Sequence, residues 1–129
     1  MSEPYWFNRS ECLSLHEMLL SDYGGASGVR DDNMLELALA KPQQAHAYVS
    51  PKMTELAASY AIGIVKNHPF IDGNKRTGFM LAAGFLERNG YSFNASEAEA
   101  VIQTLALAAG EFDEKGYAKW LEANSTQSS

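Results

Sequence analysis

Apolar side chains in this chain of 129 residues recur three and four positions apart almost from end to end. That spacing lines one face of an α-helix and does not suit a strand. Cys12, Leu15, Leu19 and Leu20 follow it after Asn8 and Glu11, which stand at capping-box spacing. Tyr23-Gly24-Gly25 ends this first helix, and Gly24 to Gly28 reads as a loop. Asp31 or Asp32 caps a second helix carrying Met34, Leu35, Leu37, Ala38 and Leu39, which Pro42 breaks or kinks. Beyond it, His46-Ala47-Tyr48-Val49 suits an extended segment that closes at Pro51. A long helix then runs from about Lys52 to Lys66, with Leu56, Ala57, Tyr60, Ala61, Ile64 and Val65 on one buried face. Another spans from near Gly73 to about Arg88 and buries Phe79, Met80, Ala83, Phe85 and Leu86. Tyr91-Ser92-Phe93 is a short extended link. Asn94 with Glu97, or Ser96 with Glu99, caps a fifth helix that closes at Gly110, and Asp113 opens a sixth with Tyr117, Trp120 and Leu121. The expected fold is all-α: about six helices around two central ones, in a single domain spanning 1–129, with 124–129 a polar tail that frays.

Composition narrows the functional classes. With 10 basic and 16 acidic residues the formal charge is −6, which repels phosphate backbones and argues against direct nucleic-acid binding. The single cysteine, Cys12, excludes an intrachain disulfide and any multi-cysteine metal site, and its leucine neighbours suit a buried thiol. No apolar run approaches the roughly 20 residues of a membrane span. The start, Met1-Ser2-Glu3-Pro4-Tyr5, lacks the basic-then-apolar pattern of a secretory signal, so a cytoplasmic location and no membrane partner are expected.

One stretch departs from the logic of helix packing: His68-Pro69-Phe70-Ile71-Asp72-Gly73-Asn74-Lys75-Arg76-Thr77, lying between two strongly apolar helices. A helix opening near Gly73 offers unpaired amide protons and the positive end of its dipole to an anion. Asn74 is suited to lock the bend through bonds to nearby backbone. Lys75 and Arg76 add two positive charges, and an arginine grips phosphate oxygens with paired bonds. Asp72 has the wrong sign for a phosphate and the right one for Mg²⁺, which commonly takes one or two carboxylates plus phosphate oxygens. His68 is the one side chain here able to accept a proton near neutral pH. Together these point to group transfer from a nucleoside triphosphate, without the glycine spacing of a P-loop. A His–Asp metal hydrolase is disfavoured, because His16 and His46 lie on unrelated segments.

At these residues the chain resembles the Fic/Doc family, whose signature is HxFx(D/E)GN(G/K)R; His68 to Arg76 match every constrained position. Tyr23-Gly24-Gly25, Gly28-Val29-Arg30-Asp31, Leu39-Ala40-Lys41-Pro42-Gln43 and Phe85 to Gly90 also look like the death-on-curing (Doc) branch. The resemblance implies a catalytic set of His68, Asp72, Lys75 and Arg76, with His68 the base toward a target hydroxyl and Asp72 the Mg²⁺ ligand. It implies nucleotide binding by Gly73, Asn74, Lys75 and Arg76, with Phe70 the buried aromatic that anchors the loop. ATP and Mg²⁺ are the implied cofactors.

Two departures bear on the reaction. AMP-transferring members usually carry a second glycine where this chain has Lys75, and a second arginine where it has Phe79. The resemblance is therefore to the Doc branch, implying transfer of the γ-phosphate of ATP to a Ser or Thr hydroxyl, with elongation factor Tu the implied target. The namesake of that branch has alanine where this chain has Gly73, so transfer of AMP or another NMP stays an alternative, as does a non-enzymatic helical binding module. Residues 43–51 resemble the place of a target-pairing flap, or are an ordinary connection. The inhibitory motif (S/T)xxxE(G/N) of many relatives is absent from these 129 residues, so a toxin of this kind implies a separate antitoxin that folds as a helix into an apolar groove.

Overall fold

Helix punctuation in the chain is met closely by the structure, a computed structural model that describes residues 3–49 and 51–128. The elements are α1 (Arg9–Tyr23), α2 (Asp32–Val49), α3 (Met53–Asn67), α4 (Asn74–Arg88), β1 (Tyr91–Phe93), α5 (Glu97–Ala109), α6 (Glu114–Ala123) and β2 (Ser125–Gln127). The fold is all-α with six helices, as the periodicity requires. Asn8 and Glu11 form a reciprocal capping box, at 2.8 and 3.0 Å. Of the paired alternatives, Asp31 caps α2 through the Met34 amide at 3.1 Å and Ser96 caps α5 through the Glu99 amide at 3.1 Å. Asp113 caps α6 through the Gly116 amide.

α3 is the spine. Leu56, Ala57, Tyr60, Ala61, Ile64 and Val65 are all buried, and so are Thr54, Ala58, Ser59 and Gly63, because α2, α4 and α6 cover the helix on several sides. Small residues set the crossings. A Cβ on Gly63 would meet Ala38 at 3.1 Å, and one on Gly78 would meet Val65 at 2.8 Å and the Ala61 carbonyl at 3.1 Å. α5 buries Ala100, Thr104 and Leu107, Thr104 bonding the Tyr117 hydroxyl, and turns Val101, Ile102 and Leu105 outward. Cys12 is fully buried, and loss of hydration pushes its thiol up to about 12, which leaves it inert at neutral pH.

Several expectations are corrected. Pro42 neither ends α2 nor makes 46–49 extended: the helix continues to Val49, with Pro42 inside it. Leu35, Ala38, Leu39 and Pro42 form one buried stripe, whose burial offsets the lost amide bond, and Trp6 packs edge-on against His46 beyond it. The flap placed at 43–51 is therefore helical through Val49; Ser50 lies outside the described residues. Nor does the tail fray over 125–127, which pairs antiparallel with β1, Tyr91 opposite Gln127 and Phe93 opposite Ser125; Ser129, like Met1 and Ser2, lies outside the described residues. Phe79 and Met80 are half-buried, Phe79 joining Phe93 and Trp120 in an aromatic cluster. Among the described residues no helix is long and apolar enough to cross a membrane.

Helix propensity alone would favour alanine over glycine at position 78 by about 1 kcal/mol. The α3–α4 crossing reverses that sign, so Gly78→Ala should destabilise the protein by about 1–3 kcal/mol in urea denaturation. An unchanged or raised midpoint would show that the two helices are free to move apart.

Candidate active site

α3 ends because its last turn closes on a residue that cannot continue it. The His68 amide donates to the Ile64 carbonyl at 3.1 Å, and Pro69 follows, which pushes its predecessor out of the right-handed helical region. His68 takes φ 49° and ψ 56°, the one non-glycine residue at positive φ among the described residues. Such a conformation costs about 1–2 kcal/mol, so its surroundings must hold it. Arg30 does so: Nε donates to the His68 carbonyl at 2.6 Å and Nη2 to the Asn67 carbonyl at 2.8 Å. The amides of Arg30 and Asp31 both donate to the Pro69 carbonyl, and Ile71 donates to Gly28. Val29 bridges Phe70 in antiparallel fashion. The extended pairing at this bend is thus internal and comes from residues 28–31.

Asn74 grips the other side of the bend. Its Oδ1 accepts from the Phe70 amide at 3.0 Å and its Nδ2 donates to the Phe70 carbonyl at 2.9 Å. The same Nδ2 lies 3.4 Å from Nδ1 of His68, at the outer edge of hydrogen-bond distance and so readily exchanged for another partner. Asn74 is buried, Phe70 is fully buried, and the His68 ring is exposed.

Asp72 is exposed on the outer face of the bend, its Oδ1 accepting from the Gly73 amide at 2.8 Å and its Oδ2 from the Ala26 amide at 3.2 Å. A Cβ on Gly25 would stand 2.8 Å from Oδ2, so the glycine admits the carboxylate. α4 then opens from Gly73, at φ 81°, with no side chain capping it. Thr77 is the first residue to close on the Gly73 carbonyl, leaving the Asn74, Lys75 and Arg76 amides without an intrahelical acceptor. Lys75 and Arg76 are exposed beside them, and the Arg76 guanidinium lies 4.0 Å over the Tyr23 ring.

One bend therefore gathers His68, Asp72, Gly73, Asn74, Lys75 and Arg76: an imidazole, an exposed carboxylate that accepts one amide on each oxygen, and a positively polarised helix end. Phe79 is turned into the cluster with Phe93 and Trp120, away from this role. Among the described residues no group of three or more metal-ligating side chains is gathered, so a cation here would lean on Asp72 and its own ligand's oxygens. Sequence reasoning passed over Tyr23, Ala26 and Arg30, although Tyr23-Gly24-Gly25 and Gly28 to Asp31 carried the family resemblance. It also set His16 aside as unrelated; the structure brings it against the bend, Nε2 2.8 Å from the Asp72 carbonyl and its ring stacked on Phe70 at 3.8 Å. Spacing could not reveal this, because α1 and the bend are far apart in sequence.

Comparisons with known proteins agree on kinship. The family model described as Fic/DOC family matches residues 6–86. "Protein kinase doc" of Escherichia phage P1 is 34% identical over 102 residues, which cover 78% of this chain and 80% of that protein. "Toxin Doc" of Mycolicibacterium smegmatis is 34% identical over 90 residues, 65% of this chain and 69% of that one. Among solved structures, the BepC protein of Bartonella tribocorum, crystallised with bound AMPPNP, has a similar fold: TM-score 0.62 at 14% identity, over all of this chain and 79% of that one.

Asn74→Ala would orphan both backbone groups of Phe70 in a buried place, each at a cost of about 1–3 kcal/mol. The Phe70 amide should then exchange with deuterium at least tenfold faster while α2 and the centre of α3 keep their protection. Equal exchange in the variant would show that the bend holds without its amide clamp.

Proposed function

This chain belongs to the Fic/DOC family, and from that premise we propose that it is a toxin-type protein phosphotransferase that moves the γ-phosphate of ATP to a Ser or Thr hydroxyl of a target protein. The observation that supports the reading is the shared bend: exposed His68, the Asp72 carboxylate and the three open amides at the start of α4 all belong to the one stretch 68–76. The donor set suits both ligands. Each Asp72 oxygen accepts a single amide proton and keeps lone pairs for a cation, while the Asn74, Lys75 and Arg76 amides with the Lys75 and Arg76 side chains suit phosphate oxygens.

In this mechanism the target hydroxyl approaches His68, which takes its proton as the oxygen bonds the γ-phosphorus. The bond from that phosphorus to the β–γ bridging oxygen breaks, and ADP leaves. Bound at Asp72, Mg²⁺ would supply neutralisation of phosphate charge. Arg76, resting on Tyr23, and the α4 amides hold the phosphates in line, and such positioning with charge stabilisation supplies most of the acceleration in phosphoryl transfer. Lys75 in place of a second glycine, and Phe79 in the aromatic cluster, favour phosphate over AMP transfer. Gly73 is the observation on the side of AMP transfer, because it leaves the helix mouth open to a nucleotide in either direction. The relative named a toxin, together with the missing inhibitory motif, supports regulation in trans by an antitoxin protein.

Labelled ATP decides between the two transfers. Purified protein, Mg²⁺ and a bacterial lysate should place γ-label, and no α-label, on a target protein. His68→Ala should lower that transfer by about 10²–10⁴-fold with an unchanged circular-dichroism melt. Transfer within tenfold of wild type would remove His68 from the role of base, and α-label on the target would replace phosphorylation by nucleotidylation. Expressed alone in a susceptible bacterium, the chain should arrest growth, and His68→Ala should relieve the arrest; harmless overproduction of active enzyme would contradict the toxin reading.

A further inference from the structure

We propose that His16 is a positioning residue that locks the Asp72–Gly73 peptide unit and thereby aims the Asp72 carboxylate; the inference rests on the reading of Asp72 as the cation-holding group. His16 stands on α1 and is only 2% exposed, with its Nδ1 3.7 Å from the Glu17 carboxylate. Two contacts tie it to the bend. Its ring lies on Phe70 with the planes 9° from parallel, and its Nε2 is 2.8 Å from the Asp72 carbonyl. A carbonyl only accepts, so Nε2 carries a proton and donates it in this bond.

The consequence passes through the peptide plane. A trans peptide is rigid and flat, with its C=O and N–H pointing in opposite directions, so a bond that holds one also aims the other. On the far side, the Gly73 amide donates to Asp72 Oδ1 at 2.8 Å. The chain of contacts is thus His16 Nε2–H to the Asp72 carbonyl, across the planar unit, then Gly73 N–H to the Asp72 carboxylate. Without the histidine this unit is the loosest part of the bend. Gly73 sits at φ 81° and has no Cβ, so rotation of the preceding peptide meets little steric resistance. A rotated unit would withdraw the amide and turn a carbonyl dipole toward the place a phosphate and cation would share. The Ala26 amide on Oδ2 at 3.2 Å is the remaining tether, a longer bond from a loop. His16 is also the atom group nearest a virtual Cβ on Gly73 after Leu20, at 3.6 Å, which places it directly against the unit it holds.

Two substitutions separate the donor from the ring. His16→Gln keeps an amide nitrogen the same number of bonds from Cβ as Nε2, whereas His16→Phe keeps the stack on Phe70 and loses the donor. ATP is titrated calorimetrically with and without Mg²⁺, and the Mg²⁺ concentration for half-maximal γ-label transfer is measured alongside. His16→Phe should lose at least tenfold of the Mg²⁺-dependent gain in ATP affinity and need at least tenfold more Mg²⁺, with kcat at saturating Mg²⁺ within threefold of wild type. His16→Gln should stay within threefold on both. Equal losses in the two variants, or none in His16→Phe, overturn the proposal. Asp72→Asn is the control for the underlying reading: if it keeps the Mg²⁺ dependence, the cation is not held at Asp72 and both ideas fall, whereas its loss beside an unaffected His16→Phe removes the histidine alone. Should His16→Phe not fold, wild-type protein still answers by NMR. A through-bond coupling between the His16 Nε2–H and the Asp72 carbonyl carbon supports the lock, and its absence overturns it.

Discussion

The side chain of Asn74 pairs with both backbone groups of Phe70, and the geometry at this end of the molecule depends on that clamp. A buried aromatic cannot leave the core without a large loss of apolar burial, and a buried amide cannot leave its partners without orphaning them. Because Asn74 is the first residue of α4 and Phe70 lies three residues past the end of α3, the two helix ends are tied to one another. The six residues from His68 to Gly73 have no length left for alternatives. His68 accordingly keeps a left-handed backbone that it would not hold alone, and α4 starts with its amides open.

The loop after α1 completes the arrangement. Arg30 directs its guanidinium at the carbonyls of Asn67 and His68, where the C-terminal end of α3 concentrates partial negative charge. Tyr23 supports Arg76 from below, Ala26 tethers Asp72, and Gly25 stands aside for the carboxylate. In a chain of net charge −6, Lys75 and Arg76 stand beside the uncapped end of α4, with the Asp72 carboxylate next to them.

Behind the bend, α3 makes the platform stiff. Its crossings with α2 and α4 are set at Gly63 and Gly78, where there is no room for a Cβ, and dense packing of that kind permits little sliding. The ring of Tyr60 fills the space between Phe7 and Phe85, and its hydroxyl accepts from the Phe7 amide; burial pushes that hydroxyl up to about 12. A rigid scaffold matters here because phosphoryl transfer depends on positioning to a fraction of an ångström.

The number and order of helices, the buried face of α3 and the residues of the bend were all legible in the chain, because each rests on local terms: a 3.6-residue period, caps at N3 spacing, a proline after a histidine. Local rules failed where packing outweighed them. Pro42 reads as a helix breaker, yet burial with Leu35, Ala38 and Leu39 carries α2 through it, and Ser125 to Gln127 looks like a loose polar end until β1 offers it a partner. The chain by itself determined which chemical groups the bend holds: an imidazole, a carboxylate, two cations and a row of amides. Only the tertiary structure decided what holds them, since Arg30, Tyr23, Ala26 and His16 reach the bend across 38 to 56 positions of sequence, and contacts at that separation leave no periodic trace to be read.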